Sequence, residues 1–183
     1  MNLYEVKLTL QGVAPPIWRR LQVPAATTLD VLHNIVQIAM GWKNIHLHMF
    51  IVNGEEYGVT DPDLGTTIRD ESKAVLGKVA EQGDRLMYVY DFGDEWEHEI
   101  LIERVFPAEE AVARPRCIDG ERACPPEDCG GPAGYRKMLA ALADPQAPGH
   151  VKLLDRIGRD FEPEVFDTQR ITNLLRWLSG QQS

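Results

Sequence analysis

The chain has 183 residues, is 44% hydrophobic and carries 19 Lys and Arg against 28 Asp and Glu, a formal net charge of -9. That length fills one core, and an acidic balance with scattered cations argues against generic nucleic-acid binding, which needs clustered Lys and Arg to neutralise phosphates. No apolar run reaches the roughly 20 residues that span a bilayer, and the chain opens on an alternating pattern instead of a signal segment, so the expected location is cytoplasmic with no membrane.

Residues 3–10 alternate, with Tyr4, Val6, Leu8 and Leu10 on one face and Glu5, Lys7 and Thr9 on the other, which is the period of a half-buried strand. A glycine and two prolines interrupt the ladder at 11–16, and Ile17, Arg19, Leu21 and Val23 then alternate up to Pro24. An antiparallel hairpin with a wide turn follows. Thr27-Thr28-Leu29-Asp30 offers a hydroxyl cap and a first-turn acid, Leu29, Leu32, Ile35, Val36, Ala39 and Met40 recur at helical spacing, and Gly41 ends the pattern. These predict a helix over about 28–40. A third strand is expected over 46–52, with Leu47, Met49 and Ile51 on one face and His46, His48 and Phe50 on the other, then an Asn53-Gly54 turn and a short return at 55–57.

The pattern weakens from 59 to 83 into acidic loop, with one helical turn near Ala74 to Val79. Leu86, Tyr88 and Tyr90 restore a strand, Gly93 turns it, and Trp96 to Val105 forms the second arm of a further hairpin. After Pro107, Pro115, Pro125, Pro126 and Pro132 among the cysteines and glycines predict an irregular loop without regular structure. Gly134 to Ala143 reads as a helix ended by Asp144-Pro145, and Asp167 caps a last helix whose stripe is Ile171, Leu174, Leu175 and Leu178. The fold class expected is therefore α+β: a β-grasp-like mixed sheet with one covering helix, an extra β-hairpin and a C-terminal loop-plus-helices extension. Residues 1–107 form the core and 108–183 the Cys/Pro/Gly-rich loop and helical extension, packed on it as one domain. The strand after Gly93 must either displace a neighbour of the 85–91 strand or extend the sheet.

The densest chemistry lies in Tyr90-Asp91-Phe92-Gly93-Asp94-Glu95-Trp96-Glu97-His98. Asp91-Phe92-Gly93 is not a kinase magnesium motif, because the chain has no glycine-rich phosphate loop, no His-Arg-Asp catalytic loop and too few residues for two lobes. One reading makes the stretch a hairpin bend whose aspartates accept backbone N–H groups, with His98 in the core beside Trp96, Ile100 and Ile102. The other brings Asp91, Asp94 and His98 together as catalytic groups or ligands of a divalent cation. His46 and His48, two apart on a strand, are further metal candidates, against the alternative of a polar strand face. Cys117-x6-Cys124-x4-Cys129 supplies three soft ligands for zinc or another divalent metal, needing a fourth from elsewhere, or else three packed thiols; as nucleophiles they lack an adjacent base. Trp18, Arg19, Trp42 and Trp96 are candidates for other binding, with arginine packed over tryptophan inside the fold as the alternative to stacking on bases.

Five motifs in order carry a resemblance: Pro15-Pro16-Ile17-Trp18-Arg19-Arg20; Thr28-Leu29 with Leu32-His33; Gly41-Trp42 with His46-Leu47-His48; Tyr90 to Asp94 with Trp96 and His98; and Cys124-Pro125-Pro126-Glu127-Asp128-Cys129-Gly130-Gly131 leading to Gly134-Tyr135. The chain resembles the plasmid pRiA4b ORF-3-like family, whose members are often labelled as TnpR-type passenger proteins of IS1096-like insertion elements. The resemblance implies an α+β fold and carries no established catalytic activity. The first functional reading is thus a non-enzymatic binding or interaction module for an unknown protein or small molecule, associated with a mobile element. The second is a metal-dependent hydrolase-like enzyme using Asp91, Asp94 and His98. The third is a DNA-associated accessory protein, although a serine recombinase needs a nucleophilic serine among arginines, and Ser72, Ser179 and Ser183 have no such setting.

Overall fold

The computed structural model describes residues 1–60, 67–109 and 114–180, so part of the loop expected at 59–83, the start of the C-terminal extension and Ser183 lie outside the described residues. In chain order the elements are β1 (Asn2–Leu10), β2 (Trp18–Pro24), α1 (Leu29–Met40), β3 (His48–Val52), β4 (Glu55–Gly58) and β5 (Arg69–Asp70). A single 3-10 turn (Glu71–Lys73) precedes α2 (Leu76–Val79), β6 (Arg85–Tyr90), β7 (Trp96–Pro107), β8 (Arg116–Glu121), α3 (Gly131–Ala143), α4 (His150–Ile157) and α5 (Thr168–Gly180). The protein is α+β, with one mixed eight-stranded sheet in the order β5-β4-β3-β6-β7-β1-β2-β8. Among the described residues only the β4–β5 pair runs parallel.

The alternation seen in the sequence becomes the core face of this sheet. Val6 and Leu8 of β1, Leu21 and Val23 of β2, Tyr88 and Tyr90 of β6, and Ile100 and Ile102 of β7 are all buried. They pack with Leu29, Leu32, Ile35, Val36 and Ala39 of α1 in one cluster, and each fully buried aliphatic side chain contributes roughly 2 kcal/mol. Gly41 ends α1 in the left-handed region at φ 92, its N–H bonded to the Gln37 carbonyl. At the other end the expected hydroxyl cap is absent: the Thr28 hydroxyl donates to the Asp30 carboxylate, and Leu29 N–H instead reaches the Ala74 carbonyl. Turned to donate to this charged acceptor, the hydroxyl does not present its oxygen to the free N–H groups of the first turn.

Two further features bear on the site: a strand placement that the sequence left open, and a departure from the loop expected after Pro107. β7 displaces β1 from the side of β6, pairing antiparallel with both, Tyr88 to His98 and Leu10 to His98. The region after Pro107 also contains regular structure, since Arg116–Glu121 forms the edge strand β8 on β2. Its prolines bracket the six residues without interrupting them, and its outer edge is occupied by Thr172 of α5, whose hydroxyl accepts from Cys117 N–H at 3.1 Å and donates to the Cys117 carbonyl at 2.8 Å. Among the described residues no helix is long and apolar enough to cross a membrane.

Candidate functional site: a histidine and three carboxylates where loops join

Asp91 follows β6 in the left-handed region, at φ 57, an uncommon conformation for a non-glycine residue that aspartate tolerates through local hydrogen bonds. Its N–H bonds the Leu47 carbonyl at 2.9 Å, and its Oδ1 accepts from the N–H groups of Gly93 (2.9 Å) and Asp94 (3.3 Å). One carboxylate oxygen thus closes the bend and leaves Oδ2 free. The 41–47 loop is fixed to the core by Asn44, also left-handed at φ 56, whose N–H donates to Gln37 Oε1 and whose Oδ1 pairs with His33 Nε2 at 2.8 Å. Ile45 N–H then bonds the Tyr90 hydroxyl at 3.1 Å, which turns the next residue, His46, toward the bend.

The cysteine-containing loop is laid over both. Trp42 Nε1 donates to the Pro125 carbonyl, Gly130 N–H donates to Asp94 Oδ2, and Glu127 Oε1 accepts from Lys43 N–H (2.8 Å) and the Tyr90 hydroxyl (3.1 Å). As with Asp91, one oxygen of Glu127 is held and the other is free. Asp128, left-handed at φ 54, completes the junction. His46 Nε2 consequently lies 3.0 Å from Asp128 Oδ1, 3.5 Å from Asp91 Oδ2 and 3.9 Å from Glu127 Oε2.

The ligand atoms of His46, Asp91 and Asp128 lie within 4.8 Å of one another, the only such group of three among the described residues. His46 Nε2 and Glu127 Oε2 are sealed from solvent and make no well-formed hydrogen bond, their contacts being the ion-pair approaches between the imidazole and the three carboxylates. Three carboxylates crowded on one imidazole repel each other unless a positive charge, the imidazolium itself or a bound cation, sits among them, and an imidazole with oxygen donors suits a divalent ion such as Zn²⁺, Mn²⁺ or Fe²⁺. Carboxylates held through one oxygen by backbone or hydroxyl donors, with the other oriented inward, are what a metal site requires of its surroundings.

The candidates read from sequence separate in the structure. Asp91 joins His46, whereas Asp94 spends a carboxylate oxygen holding Gly130 and His98 does not reach the bend. Strand alternation turns His98 into the core with 0% exposure, its Nδ1 3.3 Å from the Tyr88 carbonyl and its ring edge-on to Trp42. Burial pulls its pKa down to about 4, so it is neutral. His46 and His48 do not share a ligand either: β3 begins only at His48, whose ring stacks on His33 at 3.4 Å and whose Nε2 meets Glu71 Oε2 at 2.9 Å. The cysteines are free thiols and join no ligand group among the described residues. Burial raises Cys117 and Cys129 to about 11 and Cys124 well above its ordinary value, so the closed fold keeps all three thiols protonated.

Trp42 and Trp96 are buried and offer no surface platform. Trp18 is held by Glu121 through Nε1, with the Arg20 guanidinium over its ring, while Arg19 is buried over Phe166. Glu127 and Asp128 were not singled out by sequence reasoning. Their signal was two adjacent acids in a loop stiffened by Pro125 and Pro126, masked by attention to the flanking cysteines.

Fold and site together define an α+β protein with a histidine–carboxylate cluster where three loops join one end of a mixed sheet. The chain belongs to the family described as Plasmid pRiA4b ORF-3-like protein, which matches residues 2–170. It is 40% identical over 159 residues, 86% of this chain and 81% of the relative, to an uncharacterized protein, y4hQ, of Sinorhizobium fredii. It is also similar to the crystal structure of the protein of unknown function MM3350 from Methanosarcina mazei Go1, with a TM-score of 0.85, 36% identity, and coverage of 92% of this chain and 96% of that one.

Proposed function

We propose that this protein is a cytoplasmic, non-enzymatic binding module organised around one divalent transition-metal cation, with His46, Asp91, Glu127 and Asp128 as its ligands. The observation that carries the reading is the convergence of three carboxylates on one solvent-sealed imidazole nitrogen, with neither His46 Nε2 nor Glu127 Oε2 making a hydrogen bond. Ile45, Leu47 and Phe92, sequence neighbours of His46 and Asp91, are exposed apolar side chains, as an interaction surface would have. Association with a mobile element rests on the likeness to TnpR-type passenger proteins. A β-grasp ancestry is supported by the strand order, which gives the β-grasp arrangement once β7 is removed from between β1 and β6. A metal-dependent hydrolase is the second reading, favoured by the exposure of Asp128, which would leave coordination positions open to water and substrate.

Calorimetric titration with Mn²⁺ and Zn²⁺, together with elemental analysis of protein purified without chelator, tests the assignment. About one equivalent should bind, and His46→Gln or Asp128→Asn should weaken binding by roughly tenfold or more, since each removes a ligand. Asp94→Asn should retain it, because an amide oxygen still accepts from Gly130. Binding below about a tenth of an equivalent at every metal tried would overturn the assignment, and binding abolished by Asp94→Asn alone would return the site to the hairpin bend.

A further inference from the structure

The loop that carries Glu127 and Asp128 also carries two thiols, Cys124 three residues before Glu127 and Cys129 immediately after Asp128. Both are unpaired, Cys129 is buried, and Cys124 packs against the core. Residues 125–130 are anchored to the site's own segments, Trp42 and Lys43 ahead of His46, Tyr90 ahead of Asp91, and Asp94 in the same bend, while Ala123, before Cys124, is tied to the Pro163 carbonyl. A motion that uncovers the thiols must therefore draw Glu127 and Asp128 away from His46 and Asp91.

The packing leaves no slack around this seat. A Cβ added at Gly134 would overlap the Cys129 carbonyl, and one at Gly131 would overlap the Asp94 carbonyl, backbone against backbone in both places. These contacts fix the backbone on either side of Cys129, whose side chain is itself buried, so an adduct on that sulfur has no room in the closed seat.

Resting on the cation site argued above, we propose that Cys124 and Cys129 are a thiol-modification site, and that their modification and cation binding exclude one another. The reactant is a low-molecular-weight disulfide. A cysteine sulfur bonds to one of its sulfurs, the reagent's S–S bond breaks, and the thiol proton ends on the leaving thiolate, giving one mixed disulfide and one free small thiol. Cation binding holds the loop closed and thiol modification holds it open, and by linkage each opposes the other to the same degree.

The test follows the reaction of the full-length protein with dithiobis-nitrobenzoate, which releases one coloured thiolate per cysteine, with and without Mn²⁺, an ion with little affinity for thiols. Peptide mass spectrometry assigns the rate at each cysteine. At Mn²⁺ about a hundred times its dissociation constant, reaction at Cys124 and Cys129 should slow about a hundredfold, because only the unliganded fraction can open. Cys117, on β8 and away from the ligands, should be unaffected, and Asp128→Asn should abolish the protection.

In the reverse direction, protein modified at both thiols should bind no Mn²⁺ until dithiothreitol restores it. The Cys124→Ser, Cys129→Ser double variant should bind Mn²⁺ before and after exposure to the reagent, which separates loop displacement from general unfolding. If Mn²⁺ binds with the expected stoichiometry and the thiol rates do not change, the inference is overturned and the cation site stands. If no metal binds at all, both fall.

Discussion

Arg19 is a cation on the core face of β2, 1% exposed, with no carboxylate among the described residues paired to it. Its guanidinium is satisfied by carbonyls instead, donating to Ala39, Trp18 and Glu121, each at 2.8 Å, and stacking 3.8 Å over Phe166. The Ala39 carbonyl lies in the last turn of α1, where the helix dipole is negative and unpaired carbonyls need donors. Burial lowers the pKa only to about 10, so the side chain stays charged at neutral pH. Lysine keeps the charge but presents a compact head that cannot span three acceptors on different segments. Arg19→Lys should therefore destabilise the fold by about 3 kcal/mol, read from urea unfolding, while a loss under about 1 kcal/mol would mean that the planar fork is dispensable. The alternation of Ile17, Arg19, Leu21 and Val23 groups this arginine with apolar neighbours, but its packing over Phe166 instead of a tryptophan, and the carbonyls it serves, depend on α1, β8 and the C-terminal segment and were not visible locally.

At the scale of elements, the junction between the bend and α3 depends on close backbone approach. Gly131 has φ +65, and a Cβ there would strike the Asp94 carbonyl oxygen, whereas Gly54, at φ +81 in the β3–β4 turn, has open space around it. Both are left-handed, so the pair separates backbone strain from steric overlap. Gly54→Ala should cost about 1 kcal/mol from conformation alone. Gly131→Ala should cost roughly 3 kcal/mol and also weaken cation binding by shifting Glu127 and Asp128. Equal losses for the two would show that the approach to Asp94 is not tight. The same distinction between local and long-range causes explains what the sequence disclosed. The strands around Val6 and Tyr88 and the stripe of α1 were legible because periods of 2 and 3.6 are local properties. The insertion of β7 beside β1 was not, since both neighbours of β6 satisfy the same alternation. β8 was obscured by counting prolines that flank Arg116–Glu121 without entering it. Of the site, Asp91 and His46 could be named from residue type. Their union with Glu127 and Asp128 required the Lys43, Tyr90 and Asp94 hydrogen bonds, which join positions far apart in the chain.

At the scale of the whole molecule, the core under α1 contains two imidazoles that folding keeps neutral. His33 lies between the Tyr88 hydroxyl and the Asn44 amide oxygen, each at 2.8 Å, with the His48 ring stacked on it and Glu71 bonded behind His48. Burial first, and the His48 neighbour second, lower its pKa from 6.5 to about 4; burial does the same to His98. In the unfolded chain both would titrate near 6.5. Between about pH 6.5 and 4 the unfolded state therefore binds protons that the folded state refuses, so stability falls as pH falls through that window and levels off below it. Each imidazole contributes about 1.4 kcal/mol per pH unit there, and two act together until one is charged in place. Urea midpoints should accordingly drop steeply from pH 7 to pH 5, and His33→Gln should lower stability at pH 7 while reducing the slope by about half, because glutamine takes no proton. Identical midpoints at pH 7 and 5 would show that these imidazoles charge freely in the fold. Because Asn44 binds His33 through one amide oxygen and orients the loop that ends in His46, the same acid conditions that strain the core also act on the segment that presents His46 to the three carboxylates.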